Sequence, residues 1–291
     1  MTKSKRKILI IIVLAVTLLM GSIFAYYAHE THTRLRDEQI ALKNTEMVLC
    51  VFEIPEKDIA SAVTGISTQE DDTAEGDNEE EIDLTPFLEL IATFNAVREQ
   101  IGNDDIVAYI YIHGTNVNYV VLQGTDNSFY LSHDMFGNHN LAGSIFLDYL
   151  NSPDFTDPNT IIYGHNMGNG TKFHNLRYYV FGEGQQSFFE EHSHIIIITD
   201  SEVLVYEIFS VFTTHIDFYY IQVDFADGEF AKLVDELNRL SMHDTGIAAT
   251  AESNLLLLST CTNVDRDTRI VIASRLAQRV MVPQLDNDGY D

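Results

Sequence analysis

The sequence predicts a mainly β fold: an eight-stranded, closed or nearly closed barrel with a helix in front of it and another between strands six and seven. Three observations carry that expectation. Eight short apolar runs recur between Ile106 and Leu276. Turn chemistry separates them, as at Gly114, Gly124-Thr-Asp-Asn127 and Thr199-Asp-Ser201. The stretches with helical periodicity are few and short by comparison.

The chain divides into three parts, residues 1–28, 29–84 and 85–291. From Ile8 to Ala28 no charged residue occurs, a length sufficient to cross the roughly 30 Å hydrocarbon core of a bilayer as a helix. Lys3, Lys5, Arg6 and Lys7 precede it, so the positive-inside rule keeps the N-terminus cytoplasmic and puts the remainder outside. A cleaved signal peptide has a shorter apolar core and a small-residue cleavage site, so an uncleaved anchor is the expectation. The membrane-proximal part ends in an acidic run, Gly65 to Glu81, with too few apolar side chains to offset its ordering entropy; a solvated linker is expected. It lacks the spacing of a calcium-binding loop.

The formal net charge is -27, and no acidic residue precedes Glu30. So acidic an exported part argues against nucleic acid or anionic lipid as partner. His192 and His194 lack a nearby third ligand, and no metal or other cofactor is expected. Of the two cysteines, Cys50 lies in the membrane-proximal segment and Cys261 at the end of a core strand, an unpromising disulfide pair.

The third part opens at Thr85-Pro86, a helix start, with Phe87, Leu88, Leu90, Ile91, Phe94 and Val97 on one face. Strands are expected at Ile106–His113, Tyr119–Leu122, Ser144–Leu147, Thr160–Tyr163, Ile195–Thr199, Glu202–Phe212, Leu255–Ser259 and Arg269–Leu276. Short helices are expected at Phe173–Val180, Gln185–His192 and Gly228–Leu240. In the last, Phe230, Leu233, Val234, Leu237 and Leu240 form the core-facing stripe.

Chemistry concentrates between Asn254 and Leu276. An apolar strand ends in Ser259-Thr260-Cys261, a polar turn follows, and a second strand opens at Arg269. Cys261 and Arg269 can then face each other across the loop mouth, and a nearby cation favours the thiolate that acts as nucleophile. Ser259 sits mid-strand without a nucleophile elbow. Among 11 histidines, His165 follows a strand through Gly164 and opens a Gly-rich loop; by spacing it is either a proton carrier or a structural turn histidine.

Together these residues resemble the sortases. The apolar anchor, the series of strands, Tyr163-Gly164-His165, Leu258-Ser259-Thr260-Cys261 and Arg269 follow the family's order. More narrowly, Asn118-Tyr119-Val-Val-Leu-Gln123, Phe129-Tyr130-Leu-Ser-His-Asp134, Gly143-Ser-Ile-Phe-Leu-Asp-Tyr149 and Asp217-Phe-Tyr-Tyr-Ile221 are similar to class B sortases, over about Phe87 to Leu276. Three features depart from the pattern: Leu257 stands where a threonine is usual, Val120 stands where a proline is common, and the acidic linker is unexpected.

The resemblance implies a membrane-anchored cysteine transpeptidase of the Gram-positive cell surface, with its catalytic domain extracellular. Its partners would be exported proteins bearing a C-terminal sorting motif like Asn-Pro-x-Thr-Asn, and a peptidoglycan precursor amine. A pilus-assembling enzyme using a lysine amine, or a silent receptor with the same barrel, are the alternatives. Cys261 would form the thioacyl-enzyme, His165 would carry the proton, and Arg269 would stabilise the oxyanion beside a backbone N–H of Thr262 or Ser259. By motif position Asn118, Leu122, Tyr163, Ser259, Tyr220 and Ile221 would line the substrate groove, Leu122 and Ile221 gripping apolar side chains.

Overall fold

A computed structural model describes residues 20–33, 35–36, 39, 85–262, 264–265 and 267–282. Residues 20–33 are helical, and no helix among the described residues is long and apolar enough to cross a membrane. The expected span from Ile8 lies outside the described residues as far as residue 19, as do the acidic run 65–81 and Cys50.

Eight strands close a barrel. In chain order they are β1 (Ile106–Tyr111), β2 (Asn118–Leu122), β3 (Ile145–Leu147), β4 (Asn159–Tyr163), β5 (His194–Ile198), β6 (Glu202–His215), β7 (Leu255–Cys261) and β8 (Thr268–Met281). The order around the barrel is β1-β2-β3-β4-β7-β8-β6-β5. Only β2 with β3 and β4 with β7 run parallel. Helix α1 (Thr85–Ile101) precedes β1, α2 (Gln185–Glu191) precedes β5, and α3 (Glu229–Leu240) joins β6 to β7.

The leucine run has a physical reason. A strand covered on both faces needs apolar side chains at every position rather than alternate ones. Leu256 and Leu258 point into the barrel with Ile162, Ile270 and Ile272, whereas Leu255 and Leu257 pack outward beneath Leu233, Val234 and Leu237 of α3. Helix α1 covers a separate sector, laying Phe87, Leu90, Ile91, Phe94 and Val97 on Ile106, Tyr109, Ile196 and Ile198. Leu88, expected on that face, is exposed instead.

Strands β6 and β8 extend beyond their expected ends and pair from Glu202↔Met281 to His215↔Thr268. The extension of β8 carries Arg279, whose guanidinium meets Glu202 across the ladder, just as Arg275 meets Glu207. Cross-strand ion pairs allow a polar segment to continue the sheet where apolar periodicity has ended. The stretch Phe173–Val180 forms a 3-10 helix, Phe173–Tyr179.

Candidate active site

Two ladders bring three strand ends together. In the parallel β4–β7 pair each residue faces its partner at a constant offset, from Asn159↔Leu255 to Tyr163↔Ser259. Continued past the end of β4, that offset sets His165 opposite Cys261. In the antiparallel β7–β8 pair Cys261 faces Arg269 directly. His165, Cys261 and Arg269 accordingly share the wall of one groove of about 340 Å³. All three side chains are half-buried, and the Cys261 thiol is free of any disulfide.

Gly164 makes the approach of the histidine segment possible. A Cβ there would lie 2.4 Å from Ile145 Cδ1 and 2.8 Å from Phe173 Cδ2, so any larger residue would force those side chains or the segment itself to shift. Beyond it the loop closes on itself: Phe173 N–H donates to the His165 carbonyl at 2.9 Å, and Lys172 N–H donates to the Tyr119 hydroxyl at 2.8 Å. The histidine thus stands at the neck of a pinned loop.

The imidazole is oriented by the preceding layer. His165 Nε2 lies 2.8 Å from the Leu131 carbonyl oxygen. A carbonyl only accepts, so Nε2 carries hydrogen and Nδ1 is the ring nitrogen left for proton exchange.

Among the remaining expected groove residues, Tyr163, Ser259, Tyr220 and Ile221 line it. Their polar atoms are committed to one another or to the barrel. Tyr163 donates to Asp148 Oδ2 at 2.8 Å, and burial, reinforced by Asp148, pushes its phenol well above the ordinary range. Tyr220 and Ser259 share a hydrogen bond of 2.7 Å. Burial raises the Tyr220 phenol; the Ser259 hydrogen bond and the Arg269 guanidinium oppose that rise, and Cys261 adds to it. Ser259, 4% exposed and bonded in this way, has no partner arrangement suited to a nucleophile.

Asn118 and Leu122 are placed elsewhere, which corrects the expectation for both. The Asn118 side chain accepts a hydrogen bond from the Tyr109 hydroxyl. Leu122 is 1% exposed and packs in the apolar cluster beneath α1. The groove instead takes Asn127 and Leu131, a second Asn and Leu with the same four-residue separation, from the loop and 3-10 turn after β2. Asn127 donates to Asp148 Oδ2 at 2.8 Å, the oxygen that also receives Tyr163. Ile216, Phe218 and Tyr219 line the groove as well. The signal for them in the sequence was their position, directly before Tyr220-Ile221 at the end of β6.

The expected oxyanion donors are both engaged. Thr262 N–H donates to the Thr268 carbonyl at 3.2 Å, closing the turn between β7 and β8. Ser259 lies within the ladders to β4 and β8. Arg269 lines the groove beside Cys261, its Nη1 donating to the Thr268 carbonyl at 3.2 Å, and its planar cation is the charged group there suited to a developing oxyanion.

A thiol, an imidazole and a guanidinium on one groove have the components of acyl transfer. Comparison with known proteins gives the same direction. The sequence model for the sortase domain matches residues 110–277. Sortase B of Listeria monocytogenes is 36% identical over 183 residues, 61% of this chain and 72% of that protein. Sortase B of Staphylococcus aureus is 36% identical over 179 residues, 60% of this chain and 71% of that protein. The solved Staphylococcus aureus sortase B–substrate complex superposes with a TM-score of 0.58 at 32% identity, over 66% of this chain and 86% of that one.

Proposed function

The chain belongs to the sortase family, within class B, and from that premise we propose that its cysteine transpeptidase chemistry runs on Cys261, His165 and Arg269. The observation that carries this reading is the shared groove, where two strand ladders converge on all three side chains.

In the first half-reaction the Cys261 sulfur attacks the carbonyl carbon of a scissile peptide bond. An S–C bond forms and the carbonyl oxygen takes the electron pair, opposite the Arg269 guanidinium. Collapse breaks the C–N bond. The leaving amine takes the proton from His165 Nδ1, while Nε2 stays on the Leu131 carbonyl. In the second half-reaction an incoming amine attacks the thioester, neutral Nδ1 accepts its proton, and the thiolate departs. The thioester conserves the energy of the cleaved peptide bond, so joining needs no other energy source.

The substrate is an exported protein presenting a C-terminal Asn-Pro-x-Thr-Asn-like motif, and the acceptor is a cell-wall amine. The apolar groove wall around Leu131, Ile216 and Ile221 suits the aliphatic parts of such a peptide. An anchor at residues 8–28 would keep the enzyme on the outer face of the cell membrane, where such substrates emerge.

A fluorogenic Asn-Pro-x-Thr-Asn peptide, supplied with and without triglycine, tests the reading. A triglycine-ligated product absent from the Cys261→Ala variant is expected. Cleavage whose products never include the amine would make the protein a hydrolase of sorting peptides instead.

A further inference from the structure

Asn166 adjoins His165 in sequence, yet its side chain turns away from the groove. It is 7% exposed and held at both ends. Its Nδ2 donates to the Cys261 carbonyl at 3.0 Å, and its Oδ1 lies 2.9 Å from His174 Nδ1. Chemistry fixes the orientation of the amide, because the flipped form would set oxygen against oxygen at Cys261. With Oδ1 facing the ring, His174 must carry hydrogen on Nδ1.

This contact falls where the β4–β7 ladder runs out. Its last backbone bond is Gly164 N–H to the Ser259 carbonyl at 3.3 Å. The next acceptor a parallel ladder would reach is the Cys261 carbonyl. The main chain of Asn166 has by then turned to bridge Lys172, and its side chain takes that acceptor in place of a backbone N–H. A single carboxamide therefore connects the backbone that bears the thiol to the segment that bears the imidazole. His174, on the 3-10 helix beyond the loop, braces it from behind.

We infer that Asn166 is a positioning residue: its carboxamide, braced by His174, ties the His165 segment to the Cys261 peptide group and sets the separation of imidazole and thiol. This deepens the transpeptidase reading and rests on it. A shift of about 1 Å between reacting groups is enough to cost about a hundredfold in rate. The clamp touches no reacting atom, so its removal should act on turnover and thiol reactivity while leaving peptide affinity in place.

The test uses the full chain in a Cys50→Ala background, which leaves Cys261 as its one thiol. The variants are Asn166→Leu, an apolar near-isostere without a donor, His174→Ala, and His174→Gln, whose amide can again donate to Asn166. The primary readout is the pH–rate profile of Cys261 alkylation by iodoacetamide, accompanied by kcat and KM for the sorting peptide. Asn166→Leu should displace the alkylation profile and lower kcat about tenfold with KM within about twofold. His174→Ala should move both in the same direction to a smaller extent, and His174→Gln should recover most of the loss.

Alkylation profiles of folded Asn166→Leu and His174→Ala that superimpose on the parent would overturn the positioning role, whatever the peptide assay gives. Should Asn166→Leu fail to fold, the two His174 variants decide alone: a displaced profile restored by glutamine supports the clamp, and an unmoved one refutes it. A displaced profile in a protein that forms no amine-dependent product would keep the clamp and refute the transpeptidase reading.

Discussion

The imidazole of His165 donates through Nε2 to the Leu131 carbonyl oxygen, 2.8 Å away. Leu131 also lines the groove. One residue therefore lines the proposed substrate groove and fixes the tautomer of the His165 imidazole. The carbonyl itself is confined, since a Cβ on Gly143 would lie 2.8 Å from it.

The neutral form of His165 is therefore expected to be the Nε2–H tautomer. Nitrogen-15 chemical shifts of selectively labelled histidine, assigned by comparison with His165→Ala, report this directly. A neutral ring with hydrogen on Nδ1 would transfer the exchanging role to Nε2 and contradict the mechanism.

Leu131→Ala removes apolar wall from the groove but retains the backbone carbonyl that holds the imidazole. The expected result is a KM for the sorting peptide raised about tenfold, the scale of losing a few methylenes from a hydrophobic subsite, with kcat changed much less. Steady-state kinetics on the fluorogenic peptide separate the two parameters. A fall in kcat at constant KM would mean that the side chain also supports the carbonyl.

Cys261→Ala should abolish thioacyl-enzyme formation, read by intact-protein mass spectrometry after exposure to peptide. Arg269→Lys keeps a positive charge but loses the planar fork, and a drop in kcat/KM of about a hundredfold is expected. Circular dichroism should find both variants folded, since both positions lie at strand ends. Full activity in Arg269→Lys would reduce the role of the guanidinium to charge alone.

The barrel was legible because its strands are covered on both faces, which writes unbroken apolar runs such as Leu255–Leu258 into the chain. The Cys261–Arg269 pairing was legible for a related reason, as the two flank a turn between such runs. The far end of β8 was not, because Gln278 and Arg279 continue the sheet through pairing with β6, an interaction between distant positions. Asn118 and Leu122 were misassigned because the Asn-to-Leu spacing occurs twice, and only the fold tells which copy reaches the groove. Asn166 had no signal of its own: a polar residue in a glycine-rich loop reads as loop chemistry until its partners on β7 and beyond are seen.

Lys172 offers a test of the loop that carries His165. It is 8% exposed, with its ammonium 5.4 Å from the centre of the Tyr119 ring. Burial pulls its pKa from the ordinary 10.5 down to about 8, with Asp134 working in the opposite direction. The folded chain thus releases this proton near pH 8, while the unfolded chain holds it to about 10.5. Within that window the unfolded state binds more protons, so stability climbs with pH: the contribution is complete above the unfolded value and is lost as pH falls through the folded one. A difference of this size corresponds to roughly 3 kcal/mol at most. Urea unfolding of wild type and Lys172→Met at pH 7 and pH 10 should show the wild type gaining about 1–3 kcal/mol on the variant. Buried tyrosines such as Tyr179 and Tyr206, raised by burial, pull the other way at high pH, but they are present in both proteins and cancel in the difference. A difference independent of pH would mean that the ammonium reaches water, and that the loop behind His165 is looser than its hydrogen bonds to Tyr119 and Phe173 require.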